Sequence, residues 1–192
     1  MFHVERDALL EAYLDLVRRW APKLDLVSPS DLPRFRERHI EDALRAAPLL
    51  ADLPDGPCVD VGSGVGIPGV PLAVADPARP WTFLEPRGRR AAFLEEVVRA
   101  LGLGCRILQK TAQEATAAGE TFAVATARAL APPEVASRLL LPLLRPDGAG
   151  LLWIGRRAEA PPGAEVSEPG LAIIRRDHLS TESPDDGGPE FQ

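Results

Sequence analysis

The pattern of hydrophobic and polar positions changes once along the chain, near residue 55. Before that point, apolar side chains recur at the three- and four-residue spacing of an α-helix. The spacing predicts a first helix over residues 5–20 and a second, capped by Ser30, that runs to about Leu50. The segment LADLPDGP then interrupts the chain with Pro and Gly. We therefore expect an N-terminal helical segment over residues 1–54.

From Cys58 onward, short apolar runs alternate with amphipathic segments. Alternation of this kind is typical of a parallel sheet covered by helices on both faces, so residues 55–179 predict a doubly wound, Rossmann-like α/β domain. PGLAIIRR predicts a last strand, antiparallel at the sheet edge, and the acidic, Pro- and Gly-rich residues 180–192 are expected to be disordered. The other strands are predicted in CVDVG, WTFLE, CRILQ, FAVATARA and GAGLLWIG, and the helices in IPGVPLAVA, RRAAFLEEVVRALGL, TAQEATAAG and PEVASRLLLPLL.

Composition supports one soluble domain with a small appendage. The chain has 192 residues, of which 45% are hydrophobic, enough for a core of this size. No apolar run approaches the roughly 20 residues that span a bilayer, and the amphipathic N-terminus does not resemble a signal peptide, so we expect a cytoplasmic protein with no membrane partner. Cys58 and Cys105 have neither metal-ligand spacing nor the pattern of a disulfide framework, and we expect no metal.

Charge is distributed unevenly. The formal net charge is −6, and the acids of residues 158–192 account for it, so residues 1–157 are neutral overall. A neutral body with local arginine clusters is compatible with RNA binding, although such clusters more often form ordinary solvated surface. The clusters are Arg34, Arg36 and Arg38; Arg87, Arg89 and Arg90; and Arg156 and Arg157.

The candidate chemistry centres on DVGSGVGIPGVP, between the first predicted strand and its helix. Glycines allow positive φ and close approach of a ligand to the backbone, and a helix start offers free N–H groups. Gly64, Gly66 and Gly69 match the GxGxxG pattern of dinucleotide sites. Taken alone, this pattern leaves a nicotinamide-dependent oxidoreductase possible.

Two carboxylates narrow the choice of ligand. Asp60 ends the first strand beside the glycines, where a carboxylate repels a pyrophosphate and favours a cationic group. Glu85 ends the next strand, where a carboxylate accepts hydrogen bonds from ribose hydroxyls. A nucleoside with a cationic tail satisfies both, and S-adenosylmethionine fits this description better than NAD.

Three segments and one upstream motif resemble a known family. DVGSGVGIPGVPLAV, FLEPRGRRAAFLEEV and ATARALAPPE are similar to the RsmG (GidB) family of bacterial small-subunit ribosomal RNA methyltransferases. RHIEDAL, residues 38–44, resembles the arginine–histidine helix motif of that family, and WAPKLDLVS lies at its tryptophan–asparagine loop. The resemblance covers roughly residues 10–157.

The resemblance implies a class I S-adenosylmethionine-dependent methyltransferase fold with an N-terminal helical cap. It also implies methyl transfer from S-adenosylmethionine to N7 of one guanine in 16S rRNA of the small ribosomal subunit. Arg128 is then the candidate catalytic residue and also a cofactor-binding residue, beside the cofactor and the incoming base. By position, the remaining implied residues are Gly62, Ser63, Gly64 and Gly66 at the methionine part, Glu85 at the ribose, Ala112 and Gln113 at the adenine, and His39 and Asp42 placing the cap over the site.

Several positions depart from the family's pattern. These departures are also compatible with two other functions. The chain would then be a divergent relative that methylates another substrate, or an S-adenosylmethionine-binding protein without catalysis. Likewise, a structural hydrogen bond explains His39 as well as a functional role does. The departures are Thr111-Ala112-Gln113 in place of Arg-Ala-Glu, with Glu114 one residue further as a substitute; Ile154-Gly155 in place of Lys-Gly; Ala21 after Trp20; and Ala43 in place of serine.

Overall fold

The computed structural model describes residues 2–24, 27–155 and 158–176. Its strands are β1 (Cys58–Val61), β2 (Trp81–Leu84), β3 (Arg106–Leu108), β4 (Phe122–Arg128), β5 (Leu144–Trp153), β6 (Glu165–Glu168) and β7 (Leu171–Arg175). They form one sheet in the order β3-β2-β1-β4-β5-β7-β6. The first five strands are parallel, β7 runs antiparallel to β5, and β6 runs antiparallel to β7.

Helices cover the sheet and precede it. The α-helices are α1 (Phe2–Leu24), α2 (Glu41–Leu44), α3 (Ala47–Leu50), α4 (Gly69–Ala75), α5 (Gly88–Leu101), α6 (Ala112–Ala117) and α7 (Pro133–Leu140). Between α1 and α2 lie a 3₁₀ turn (Leu32–Arg34) and a π-helical turn (Arg36–Ile40), and a second 3₁₀ turn (Leu141–Leu143) follows α7. No described helix has the length and apolar character needed to cross a membrane.

The strand order places a crevice at the carboxyl ends of β1 and β4. β1 pairs with β2 on one side and with β4 on the other, so the chain winds outward in both directions from this point. Open α/β sheets bind their ligands where the winding reverses. β1 and β2 are buried along their whole length, as expected for parallel strands covered on both faces.

The predicted α/β alternation is confirmed, with one difference at the sheet edge. The strand predicted in PGLAIIRR forms as β7 and is antiparallel, but β6 pairs outside it, so the prediction of an edge position was wrong. β6 has the sequence EVSE, and its one apolar side chain, Val166, is exposed. The segment therefore carries no buried apolar pattern that would reveal a strand.

The N-terminal helices also differ from the prediction. α1 extends beyond residues 5–20 at both ends, and the expected second helix from Ser30 to Leu50 is divided into short turns and helices. Pro48 accounts for the break between α2 and α3, because proline has no N–H to donate to the Leu44 carbonyl one turn earlier. The described part of residues 1–54 shares one hydrophobic core with α4 and α5. Residues 180–192, where disorder was expected, lie outside the described residues.

α4 lies directly against β1 because its first residue is a glycine. A Cβ on Gly69 would stand 2.7 Å from Asp60 Oδ2 and 2.7 Å from Phe83 Cε1. Both neighbours are fully buried and have no room to move. The start of α4 can therefore approach the sheet only without a side chain at this position.

We predict that Gly69→Ala lowers the free energy of unfolding by about 1–3 kcal/mol, the cost of overpacking a closed interior. Urea unfolding of the purified protein measures it. Gly104→Ala is the control, because no atom lies within 4 Å of a Cβ added there. Equal stability of the two variants would contradict the close contact of α4 with β1.

Candidate active site

The glycine loop follows β1 and turns sharply at the mouth of the crevice. Gly62 and Gly64 have φ of +70° and +58°, a region that strains other residues. The N–H groups of Gly62 and Ser63 donate to the carbonyl of Leu84, at 2.8 and 3.1 Å, so the loop is fixed to the end of β2. A Cβ on Gly64 would meet nothing closer than 3.7 Å. The backbone at Gly64 is therefore open to a ligand.

Asp60 lies beneath this loop and is fully buried. Its Oδ1 accepts a hydrogen bond from the Thr126 hydroxyl at 2.8 Å, and its Oδ2 accepts one from the Gly69 N–H at 3.2 Å. The sequence predicted that this carboxylate faces a cationic ligand. In the structure each oxygen accepts one hydrogen bond from the protein, and these bonds join β1 to β4 and to α4 beneath the loop.

Tyr13 supports the loop from the N-terminal side. Its hydroxyl donates to the carbonyl of Val65 at 2.8 Å, and the side chain is fully buried. Gly66 packs on this inner side against Val70, Leu94 and Tyr13, and lines no part of the crevice. Sequence reasoning gave Tyr13 no role in the site. The one available signal was its hydroxyl, which needs a partner when buried.

Glu85 connects the glycine loop to the end of β2. Its Oε2 accepts a hydrogen bond from the Gly64 N–H and its Oε1 accepts one from the Arg87 N–H, both at 2.9 Å. Only 3% of the residue is exposed. The predicted proximity of Glu85 to the loop is therefore present, and two backbone donors fix its carboxylate.

The crevice consists of two cavities that meet at Gly62. The first, of about 150 Å³, is mainly apolar and is bordered by Leu84, Pro86, Ala112, Gln113 and Leu130. The second, of about 260 Å³, has a more polar lining than the first and is called the polar cavity; it is bordered by His39, Ser63, Gly64, Arg90 and Arg128. Glu85 itself borders neither cavity: it follows Leu84 of the apolar wall, and its Oε2 accepts the hydrogen bond from Gly64 of the second cavity. A larger cavity of about 500 Å³ beside Arg6 and Leu103 is separate from this site.

Glu114 does not substitute for the missing acid beside the apolar cavity. Its Oε2 accepts a hydrogen bond from the Thr111 N–H at 2.8 Å, and its own N–H donates to Thr111 Oγ1 at 3.2 Å. This reciprocal capping box begins α6. Thr111, Ala112 and Gln113 border the cavity, and Glu114 does not.

Arg128, at the end of β4, is held by the helical segment before the sheet. Its Nη2 donates to the Arg38 carbonyl at 3.1 Å and lies 3.5 Å from Asp42 Oδ2. Its Nη1 is buried and finds no hydrogen-bond partner among the residues that the structure describes. Buried donors are almost always paired, so this nitrogen marks a position for an acceptor.

His39 has both a structural partner and a place in the polar cavity. Its Nε2 forms a hydrogen bond with Asp31 Oδ2, and its ring centroid lies 4.9 Å from that of Phe35. Burial lowers the pKa of His39 from its usual value, and the nearby Arg128 adds to this effect against the hydrogen bond with Asp31. Asp31 also accepts a hydrogen bond from Arg38. Sequence reasoning missed Asp31 because it belongs to an ordinary turn-like segment.

The first arginine cluster is neutralised within the protein. Arg34 pairs with Glu37 at 2.9 Å, Arg36 pairs with Glu11, and Arg38 pairs with Asp31. This surface therefore presents little net positive charge to an RNA. The third cluster, Arg156 and Arg157, lies outside the described residues.

Metal chemistry has no candidate site in the parts of the chain that the structure describes. Within them, no group of three His, Cys, Asp or Glu side chains is arranged to hold an ion. Cys58 is buried and Cys105 half-buried, and both are free thiols. Burial raises the pKa of each thiol to about 11, so neither is reactive at neutral pH.

Comparison with known proteins assigns the family. The model of GidB, rRNA small subunit methyltransferase G, matches residues 6–165. The chain belongs to this family. Ribosomal RNA small subunit methyltransferase G of Granulibacter bethesdensis is 41% identical over 155 residues, which are 78% of this chain and 68% of that protein. The protein of the same name from Stenotrophomonas maltophilia is 38% identical over 181 residues, covering 88% of this chain and 82% of the relative.

Solved structures agree with the methyltransferase G family assignment at the level of the fold. A hypothetical protein of Thermus thermophilus superposes with a TM-score of 0.52 and 25% identity, covering 70% of this chain and 80% of that one. The 16S rRNA N2 G1207 methyltransferase of the same organism, solved with AdoMet and guanosine, gives a TM-score of 0.56 at 16% identity, over 78% of this chain and 43% of that one. The predicted class I methyltransferase fold is thus confirmed.

The buried carboxylate of Asp60 gives a pH-dependent prediction. Burial raises its pKa from 3.8 to about 6, against the hydrogen bonds from Thr126 and Gly69. The folded state therefore holds this proton more tightly than the unfolded chain does. The resulting stabilisation is complete below pH 4, decreases as the pH rises, and is lost above about pH 6.

Asp60→Asn isolates this effect because asparagine does not titrate. We expect the free energy of unfolding of the wild type, relative to Asp60→Asn, to fall by roughly 3 kcal/mol between pH 4 and pH 7, at about 1.4 kcal/mol for each pKa unit. Denaturant unfolding of both proteins across this range measures the difference. A difference that does not change with pH would show that Asp60 is not a buried titrating group.

Proposed function

We propose that this chain transfers a methyl group from S-adenosylmethionine to N7 of a guanine in 16S rRNA of the small ribosomal subunit. Membership of the methyltransferase G family supports the reaction class. The observation that carries the proposal is the glycine loop at which an apolar cavity and a polar cavity meet, with the Glu85 carboxylate bound to Gly64 of that loop. This sequence of environments suits an adenine, a ribose and a charged amino acid in that order.

The residues present fit S-adenosylmethionine. The apolar walls beside Ala112 and Gln113 suit the flat adenine ring, and Glu85 would accept hydrogen bonds from the ribose hydroxyls. Gly62 and Gly64, which have no side chains to obstruct the backbone, would border the methionine part. When bound, this cofactor supplies a methyl group on a sulfonium, which is readily transferred to a nucleophile.

Guanine N7 carries a lone pair and no proton, so the protein need not remove a proton before the transfer. Its task is to align the base and exclude water. The buried Nη1 of Arg128 would donate to the guanine O6, the acceptor next to N7. Asp42, 3.5 Å from Nη2 of Arg128, offsets the arginine charge and makes a cationic methylated guanine tolerable.

The crevice also sets a requirement on the RNA. N7 lies in the deep, narrow groove of an A-form helix, where side chains cannot reach it. The target guanine must therefore come from a loop or be turned out of its stack. A ribosomal substrate is consistent with the cytoplasmic location expected from the sequence.

The decisive experiment maps N7-methylguanine in 16S rRNA from cells with and without the gene, by chemical cleavage at the modified base. We expect one cleavage site to disappear when the gene is deleted and to return with the wild-type gene. An unchanged pattern, with S-adenosylmethionine still bound in calorimetry, would indicate another substrate. Binding of NAD and not S-adenosylmethionine would overturn the proposal as a whole.

Arg128→Ala tests the residue proposed to orient the base. We expect it to abolish complementation in the same assay, because the donor proposed for the guanine O6 is lost, and to weaken S-adenosylmethionine binding less than loss of Glu85 does, because the contacts of Glu85 do not involve Arg128. Arg138→Ala on α7 is the matched control, since Arg138 is exposed and pairs with Glu134 away from the crevice. Full methylation by Arg128→Ala would remove Arg128 from the catalytic assignment.

Glu85→Ala tests the cofactor site. We expect S-adenosylmethionine affinity to fall by about 1–3 kcal/mol, the scale of losing charge-assisted hydrogen bonds. Isothermal calorimetry measures the dissociation constant, and Glu95→Ala, an exposed change on α5, provides the control. Unchanged affinity in Glu85→Ala would exclude a ribose contact.

A further inference from the structure

A chain of charged side chains leads from the outer hairpin of the sheet to Arg128. Arg45, just after α2, donates from Nε and Nη2 to Glu168 Oε2, at 3.1 and 2.8 Å. Its Nη2 also donates to the Pro169 carbonyl at 3.0 Å, and its Nη1 donates to Asp42 Oδ1 at 3.0 Å. Arg45 thus binds the β6–β7 hairpin on one side and the cap on the other.

The two carboxylate oxygens of Asp42 face two different arginines. Oδ1 accepts from Arg45, while Oδ2 lies 3.5 Å from Nη2 of Arg128. The Asp42 carbonyl is held in turn by the indole N–H of Trp153, at 3.4 Å. All three charged side chains are half-buried or more, with 34%, 29% and 20% exposed for Arg45, Asp42 and Arg128, so solvent screens their contacts only in part.

The geometry of the guanidinium group explains why the contact with Glu168 determines how many oxygens of Asp42 are bound by Arg45. Arginine presents its donors in a rigid planar fork, which readily binds both oxygens of one carboxylate. Glu168 and Pro169 engage two of its three nitrogens and fix the plane of Arg45, so that Nη1 alone faces Asp42. Without Glu168, Arg45 is free to turn and take both oxygens of Asp42, in competition with Arg128.

We propose that Glu168 is a positioning residue for Arg128. It holds Arg45 so that Asp42 keeps one carboxylate oxygen for the arginine that orients the target base. The match to the family model ends at residue 165, at the start of β6, so this outer partner lies beyond the matched residues. The effect on catalysis rests on the proposed function; the effect on Arg128 itself does not.

The arrangement predicts a defect in turnover with cofactor binding preserved. Glu168→Gln keeps the size of the side chain and removes its charge. We expect kcat for methylation of small ribosomal subunits to fall roughly 2- to 30-fold, the range for mutations that act through a contact network. The dissociation constant of S-adenosylmethionine should stay within about twofold, because Glu85 and the glycine loop do not contact this network. Glu165→Gln, exposed on the same strand, is the matched control and should have wild-type kcat.

A double-mutant cycle separates positioning from loss of structure. In the Asp42→Asn background, Glu168→Gln should have no further effect on kcat, because the contact through which it acts is already removed. A merely structural role would instead lower the unfolding midpoint and leave kcat unchanged at temperatures well below it. Independent, multiplicative effects of the two changes on kcat would overturn the proposal.

A spectroscopic measurement tests the positioning without relying on activity. The Nε–H resonance of Arg128, assigned by its loss in Arg128→Lys, should shift in Glu168→Gln and remain in place in Glu165→Gln. If the wild type methylates no rRNA and the resonance still shifts, the proposed function fails while the positioning of Arg128 holds. An unshifted resonance, or a shifted one in an active enzyme with unchanged kcat, would refute the inference.

Discussion

The buried carboxylate of Asp60 is the contact on which the rest of the site depends. A single side chain at the end of β1 accepts hydrogen bonds from Thr126 on β4 and from the first N–H of α4. These partners come from the two sides of the point where the sheet reverses its winding. Because Asp60 is fully buried, each partner lost would leave an uncompensated polar group. The carboxylate thereby fixes the glycine loop that lies above it.

The crevice is assembled around that loop from three directions. Tyr13 holds it from the N-terminal helix, Glu85 holds it from the end of β2, and Arg128 rises beside it from β4. The N-terminal segment and the sheet domain share one core, so the cap is packed as a part of the site. The same segment supplies the Arg38 carbonyl and the Asp42 carboxylate that hold Arg128.

Sequence reasoning predicted the features that depend on residues close together in the chain. The alternation of apolar runs and amphipathic segments predicted the five parallel strands, and the glycine loop and Glu85 were found from their spacing. It failed where local pattern and tertiary contact differ. β6 is exposed and polar, so no apolar periodicity identified it. The predicted second N-terminal helix is interrupted just before Pro48, although its apolar pattern is continuous.

The sequence by itself determined the fold class, the position of the ligand loop and the family, because periodicity, turn residues and short motifs act over a few residues. Only the tertiary structure decided which donors each functional side chain meets. Asp60 finds Thr126 at a separation of 66 residues, and Arg45 finds Glu168 at a separation of 123. Such pairings depend on how whole strands and helices pack. The physical reason is that a buried carboxylate takes whichever donors the folded chain brings to it.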